Sequence, residues 1–175
     1  LLIILRILTW SRLLSVWWHP EDIPIWWWSR ITDSTKSSAG QGMTLREKIC
    51  QLFVVYPSAI TGVSKVTAAG DATRRALETW PVGGLLYDRS NMVSQEQVRT
   101  MLVNTQSYSK IPLILTCDEE GGRVNRLMGT VGTTKIGPML DYKDQGTETA
   151  AENARTIASD LISCGFNMDL APVAD

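Results

Sequence analysis

The stretch LILTCDEEGGRVNRL, residues 113–127, begins with an uninterrupted apolar run and continues into charged residues around two glycines. A continuous apolar run of this length is typical of a parallel strand that is covered on both faces. Apolar runs also predict strands in LFVVY (52–56) and VGGLLYD (82–88), besides LILTCD (113–118), and NMDLAPVAD (167–175) is interpreted as a fourth strand.

Segments with helical spacing alternate with these strands. Thr44 and Glu47 form a capping-box pattern at the start of the first segment, and Gly165 follows the last one. The predicted helices are TLREKICQL (44–52), TAAGDATRRALETW (67–80), SQEQVRTMLVNTQSYS (94–109) and TETAAENARTIASDLISC (147–164). Because neighbouring parallel strands need a crossover, the alternation predicts an α/β fold of about four βα units. An open doubly wound sheet and a closed barrel would both give this alternation.

The composition is that of an ordinary globular domain, with 175 residues, 44% hydrophobic residues and a net charge of -1. The charge balance leaves no basic surplus for phosphates, which argues against nucleic acid as a partner. Cys50, Cys117 and Cys164 are far apart and in no CxxC spacing, so neither a disulfide framework nor a zinc site is indicated. We expect these cysteines in the interior as small apolar residues.

Residues 1–42 form a leader of different composition, which holds six of the seven tryptophans. Arg6 and Arg12 interrupt its apolar run, which argues against a transmembrane helix. An out-of-frame start and a degraded export or anchor segment both account for the leader, and a packed subdomain is a third interpretation. Contact of the leader with a membrane surface stays open, and a remnant export signal would favour the cell envelope or secretion. The Ser- and Gly-rich residues 31–42 are interpreted as a linker to a domain at 43–175.

Charged residues crowd the exit of the third predicted strand, where α/β proteins place their ligands. Asp118 is the first polar residue after the strand, and its carboxylate can accept hydrogen bonds from neighbouring hydroxyls of a sugar. Arg126, beyond the Gly-Gly pair, offers a fixed fork of donors to the same ligand or to Asp118 itself. From the chemistry of these residues alone, the favoured interpretation is a structural ion-pair cluster of Asp118, Glu119 and the arginines that closes the loop. Asp88 and Arg89, after the second strand, are interpreted either as a loop ion pair or as sugar contacts.

Four segments together resemble the N-terminal part of the catalytic barrel of glycoside hydrolase family three. They are MTLREKICQLFVVY, VGGLLYDRSN, CDEEGGRVNRL and GFNMDLAPVAD, and they occur in the order and spacing of that family, over about residues 43–175. The motif Asp-Glu-Glu-Gly-Gly-Arg-Val is similar to the signature of the β-N-acetylhexosaminidase branch, whereas the β-glucosidase branch usually carries another sequence after its third strand.

The resemblance implies a (β/α)8 barrel, of which this chain would supply the N-terminal half, because a complete barrel needs ~250 residues. It implies removal of terminal, non-reducing β-linked N-acetylhexosamine residues with retention of configuration, with no metal or organic cofactor. An Asp would be the nucleophile and a His, assisted by an Asp, the general acid/base. By direct match to the motif, Asp118 and Arg126 would hold the terminal sugar of the carbohydrate substrate.

The catalytic residues of the family have no counterpart in this sequence, because its acid/base His and its nucleophile lie beyond the position of Asp175. The only histidine, His19, lies in the leader, and Asp175 matches a structural carboxylate at the end of the fourth strand. We therefore expect the 175-residue chain itself to be an inactive fragment. A non-catalytic sugar-binding or interaction fragment, a β-glucosidase-like member of the family and another α/β enzyme that shares the loop are the alternatives.

Overall fold

The computed structural model describes residues 42–172. The predicted leader, with its tryptophans and His19, and the carboxylate of Asp175 lie outside these residues. The helices are α1 (Leu45–Cys50), α2 (Pro57–Thr61), α3 (Asp71–Thr79), α4 (Gln95–Tyr108) and α5 (Gly146–Cys164), and the strands are β1 (Val54–Val55), β2 (Gly84–Leu86), β3 (Ile114–Cys117) and β4 (Met168–Asp169). Single turns of 3-10 helix cover Arg89–Asn91 and Met139–Tyr142.

The four strands form one parallel sheet in the order β1-β2-β3-β4. This order separates the two architectures that the sequence pattern left open, because a doubly wound sheet reverses its strand order at a switch point. Here each strand pairs with the next one along the chain, as consecutive βα units of a barrel do. The predicted α/β class with four βα units is therefore confirmed.

The first helix shows how closely local sequence signals fix an element. The Thr44 side chain accepts a hydrogen bond from the Glu47 backbone N–H, and the Glu47 carboxylate accepts one from the Thr44 N–H at 2.7 Å. The predicted capping box is thus present. Two helices differ from the prediction. Helix α3 begins at Asp71 rather than at residue 67, and the five-residue α2 was not predicted, because so short a helix shows no periodicity.

The core lies between the sheet and the helices α3, α4 and α5. Leu85 on β2 and Leu115 on β3 are paired in register and almost fully buried. Tyr87 and Phe166 pack edge to face across this core, with ring centroids 6.0 Å apart. All three cysteines are free and buried, as predicted from their spacing. No helix within residues 42–172 has both the length and the apolarity needed to cross a bilayer.

Candidate functional site

The carboxyl ends of the parallel strands bring the predicted site residues to one edge of the sheet. Leu86 pairs with Thr116, and Cys117 pairs with Asp169, so β2, β3 and β4 end at the same level. Asp118 follows β3 directly, and the side chain of Asp169 stands at the end of β4. The edge therefore collects two carboxyl groups and the loop that contains Arg126.

Asp118 and Arg126 form an ion pair, with 2.7 Å between Nη2 of Arg126 and Oδ2 of Asp118. Their side chains are 25% and 27% exposed, so both groups remain accessible from solvent. The ion pair uses one carboxylate oxygen and one guanidinium nitrogen. Each partner consequently keeps further hydrogen-bonding capacity for a ligand at the carboxyl ends of the strands.

Two consecutive glycines make the turn that brings Arg126 back to Asp118. Gly121 and Gly122 have φ angles of 84° and 60°, in the left-handed region that favours glycine. The N–H of Gly122 donates to the carbonyl of Ile136 at 2.9 Å, which fixes the tip of the turn against the following loop. A Cβ atom at Gly122 would lie 2.8 Å from Cγ of Pro138, so close packing also requires glycine here.

Glu119 is buried, with 3% of its surface exposed, although the sequence places it among solvated charges. Its Oε2 accepts the backbone N–H of Arg126 at 2.6 Å and that of Leu127 at 2.8 Å. Its Oε1 accepts the N–H of Met128 at 3.3 Å. One carboxylate therefore satisfies three consecutive backbone donors on the far side of the turn, which offsets the cost of its burial.

Asp169 supports Glu119 from the neighbouring strand. Oδ1 of Asp169 accepts the backbone N–H of Glu119 at 2.9 Å. The pKa of Asp169 is raised to about 7, mainly by burial and to a smaller extent by the nearby carboxylates of Glu119 and Asp118, against the lowering effect of this hydrogen bond. Burial also raises the pKa of the Cys117 thiol, which is therefore an inert interior group.

Hydrogen bonds connect the loop after β2 to the turn after β3. Nη2 of Arg89 donates to the carbonyl of Asn125 at 2.9 Å and also contacts its side-chain oxygen. The Asp88 carboxylate accepts the N–H of Ser90 at 2.7 Å and so caps its own 3-10 turn. Arg89 thus pairs with an amide rather than with the carboxylate of a loop ion pair. Within residues 42–172, no three His, Cys, Asp or Glu side chains are arranged to hold a metal ion.

Sequence reasoning identified Asp118 and Arg126, and the structure brings them together. Sequence reasoning missed the separate roles of Glu119, Asp169 and Asn125. Glu119 stands in a run of three acidic residues, where nothing in the sequence marks one of them as buried. For Asp169, its place in an otherwise apolar strand was the available signal.

Comparison with known proteins gives a consistent match. The family model described as Glycosyl hydrolase family 3 N terminal domain matches residues 44–175. A β-hexosaminidase of Neisseria meningitidis is 31% identical over 100 residues, which are 54% of this chain and 28% of that protein. The chain therefore spans less than a third of the length of this curated relative.

Solved structures agree with the sequence match. A family 3 β-N-acetylglucosaminidase from Paenibacillus sp. is 32% identical with a TM-score of 0.64, over 75% of this chain and 24% of that one. NagZ from Neisseria gonorrhoeae in complex with N-trifluoroacetyl-D-glucosamine is 26% identical with a TM-score of 0.52, over 62% of this chain and 34% of that one.

Proposed function

Because the chain belongs to the glycosyl hydrolase family 3 N-terminal domain family, we propose that the complete protein removes terminal, non-reducing β-linked N-acetylhexosamine residues by a retaining mechanism. The described βα units are then part of the (β/α)8 barrel of that family. The proposal is supported by relatives that are named β-hexosaminidase and by a solved neighbour named β-N-acetylglucosaminidase.

In this proposal, the ion pair of Asp118 and Arg126 holds the terminal sugar, and it is the observation that carries the assignment. The pair lies at the carboxyl ends of the strands, where barrel enzymes bind their substrates. A carboxylate accepts hydrogen bonds from two sugar hydroxyls, while a guanidinium donates to hydroxyl or carbonyl oxygens. The complex of NagZ with an N-acylated glucosamine supports a ligand of this class.

The described residues contribute binding rather than proton transfer. Residues 42–172 contain no histidine, which is the residue type that the family resemblance implies for the general acid/base. Asp118 is paired with the guanidinium of Arg126, and its carboxylate oxygens can accept further hydrogen bonds. Hydrogen bonds that strengthen as the sugar becomes oxocarbenium-like contribute to catalysis without bond-making by the group itself.

The test uses the complete protein with an aryl β-N-acetylglucosaminide, an aryl β-glucoside and an aryl α-N-acetylglucosaminide. We expect hydrolysis of the first compound, with initial release of the β-anomer of N-acetylglucosamine by NMR. Preference for the β-glucoside would indicate the β-glucosidase-like alternative. Binding of N-acetylglucosamine without turnover of any substrate would indicate the non-catalytic alternative, and either result would overturn the proposal.

A further inference from the structure

We propose that Glu119 is the positioning residue for sugar binding, because its buried carboxylate holds the backbone of Arg126 at the place where the guanidinium meets Asp118. The inference rests on the function proposed above, in which Asp118 and Arg126 bind the terminal sugar. It adds a third residue, which does not itself touch the ligand.

The geometry follows from the loop that separates the two binding residues. Asp118 ends a strand and is fixed by the sheet, whereas Arg126 lies eight residues further along a turn with two glycines. A glycine-rich turn loses much conformational freedom when it is held in one shape. The position of Arg126 relative to Asp118 therefore depends on the contacts that hold the far side of the turn.

Glu119 supplies three of those contacts, and the hydrogen bond from Arg89 to the carbonyl of Asn125 supplies another. It is the immediate neighbour of Asp118 in sequence, and its Oε2 accepts the N–H groups of Arg126 and Leu127 at 2.6 Å and 2.8 Å. The side chain of Leu127 is fully buried, which anchors the same backbone in the core. The carboxylate of Glu119 thus connects the start of the turn to its end by direct hydrogen bonds.

Asp169 holds the other side of Glu119. Oδ1 of Asp169 accepts the Glu119 N–H at 2.9 Å, so the main chain at Glu119 is fixed to β4 while its side chain fixes Arg126. The connection runs from β4 through Glu119 to the backbone of Arg126, whose guanidinium reaches Asp118 at 2.7 Å. Loss of the Glu119 carboxylate would free the backbone of Arg126 and leave the buried N–H of Leu127 and the partly buried N–H groups of Arg126 and Met128 without this acceptor.

A double-mutant cycle in the complete protein separates positioning from a merely structural role. The variants are Glu119→Leu, Arg126→Ala and the double variant, each assayed for KM and kcat on the aryl β-N-acetylglucosaminide, for the Kd of N-acetylglucosamine and for Tm. We expect Glu119→Leu to raise Kd and KM at least about tenfold, because misplacement by about 1 Å can cost on the order of a hundredfold. In the Arg126→Ala background the same change should alter Kd by less than about twofold, while it lowers Tm equally in both backgrounds.

Two further variants of Glu119 and one control variant complete the experiment. Glu119→Gln keeps one carbonyl oxygen for the N–H groups of Arg126 and Leu127 and loses only the long bond to Met128, so we expect Kd within about threefold of the wild type. Glu119→Asp keeps the charge but withdraws it by one methylene, and it replaces Glu119→Leu in the cycle where the latter does not fold. Glu152→Leu on the exposed face of α5 removes the same charge and should leave Kd unchanged.

The outcomes distinguish the two proposals. An equal rise in Kd on substitution of Glu119 with and without Arg126 would show that Glu119 does not act through Arg126 and would overturn this inference. An unchanged Kd and kcat/KM in Arg126→Ala alone would instead overturn the assignment of the sugar-binding pair. A full loss of affinity in Glu119→Gln would contradict the role given to the two short hydrogen bonds.

Discussion

Substitution of Asp169 by asparagine should remove a pH-dependent cost from the folded state. In Asp169→Asn the side-chain oxygen can still accept the N–H of Glu119, which lies 2.9 Å from the Asp169 carboxyl group. The amide does not titrate, so the substitution isolates the charge of the half-buried carboxyl group. Cys117, Asp118 and Glu119 are the titratable groups nearest to it, and both acidic neighbours disfavour its ionised form.

The magnitude follows from the pKa of Asp169, which burial raises from 3.8 to about 7. The folded state therefore holds this proton more tightly than the unfolded state between these two values. Its contribution to stability is fully present below about pH 4 and is lost as the pH rises through 7. One pKa unit corresponds to about 1.4 kcal/mol, so a shift of about three units amounts to at most about 4 kcal/mol over the whole interval.

The assay is the difference in Tm between Asp169→Asn and the wild-type complete protein, measured from pH 4 to pH 8. We expect this difference to move in favour of the variant as the pH rises, by up to about 8 °C in total, because 1 kcal/mol shifts the Tm of a domain of 150–250 residues by about 2–4 °C and that of a larger protein by less. Asp141→Asn, the same substitution at an exposed position, is the matched control with which the change in Tm of Asp169→Asn is compared. A flat difference for Asp169→Asn, or one of opposite sign, would refute the assignment of a buried protonated carboxyl group.

The remaining predictions concern stability. Gly122→Ala should lower the free energy of unfolding by more than about 1–3 kcal/mol, because it adds a 2.8 Å contact with Pro138 to the strain of a φ of 60°. Gly129→Ala is the matched control, because Gly129 has a φ of 72° and no atom lies within 4 Å of the added Cβ, so this variant should show the dihedral strain alone. Equal losses of unfolding free energy in the two variants would contradict the packing argument. Thr44→Ala removes the capping box of α1 and should cost about 1 kcal/mol with kcat/KM unchanged, and a Tm equal to that of the wild type would show that the cap is not stabilising.

The fold could be predicted from sequence wherever the signal is local. Apolar runs located β1, β2 and β3, and Thr44 with Glu47 located the start of α1, because burial and capping depend on residues that are close together in sequence. The order of the strands required the structure, since each pairing joins residues about 30 or more positions apart.

The residues of the candidate site could also be predicted only in part. Asp118 could be found because it directly follows an apolar strand, and Arg126 because the motif that both share resembles a known family. The role of Glu119 depends on the conformation of the Gly-Gly turn, and the role of Asp169 depends on the pairing of β3 with β4. The residues next to them in the sequence indicate neither contact. The link from Arg89 to Asn125 spans 36 positions and shows no sequence signal at all.

The most direct test of the account compares kcat/KM of Asp118→Ala with that of the wild type, in the complete protein and with an aryl β-N-acetylglucosaminide as substrate. The Tm of both proteins is measured alongside. Loss of two charge-assisted hydrogen bonds, each worth about 1.5–3 kcal/mol, should lower kcat/KM at least about a hundredfold. Asp118→Asn should recover only part of it, because the amide keeps the shape of Asp118 without its charge. Asp144→Ala, which removes an exposed carboxylate, should have no effect. A lower Tm with kcat/KM per folded molecule unchanged in Asp118→Ala would contradict the account, because it would show that the ion pair with Arg126 only closes the loop.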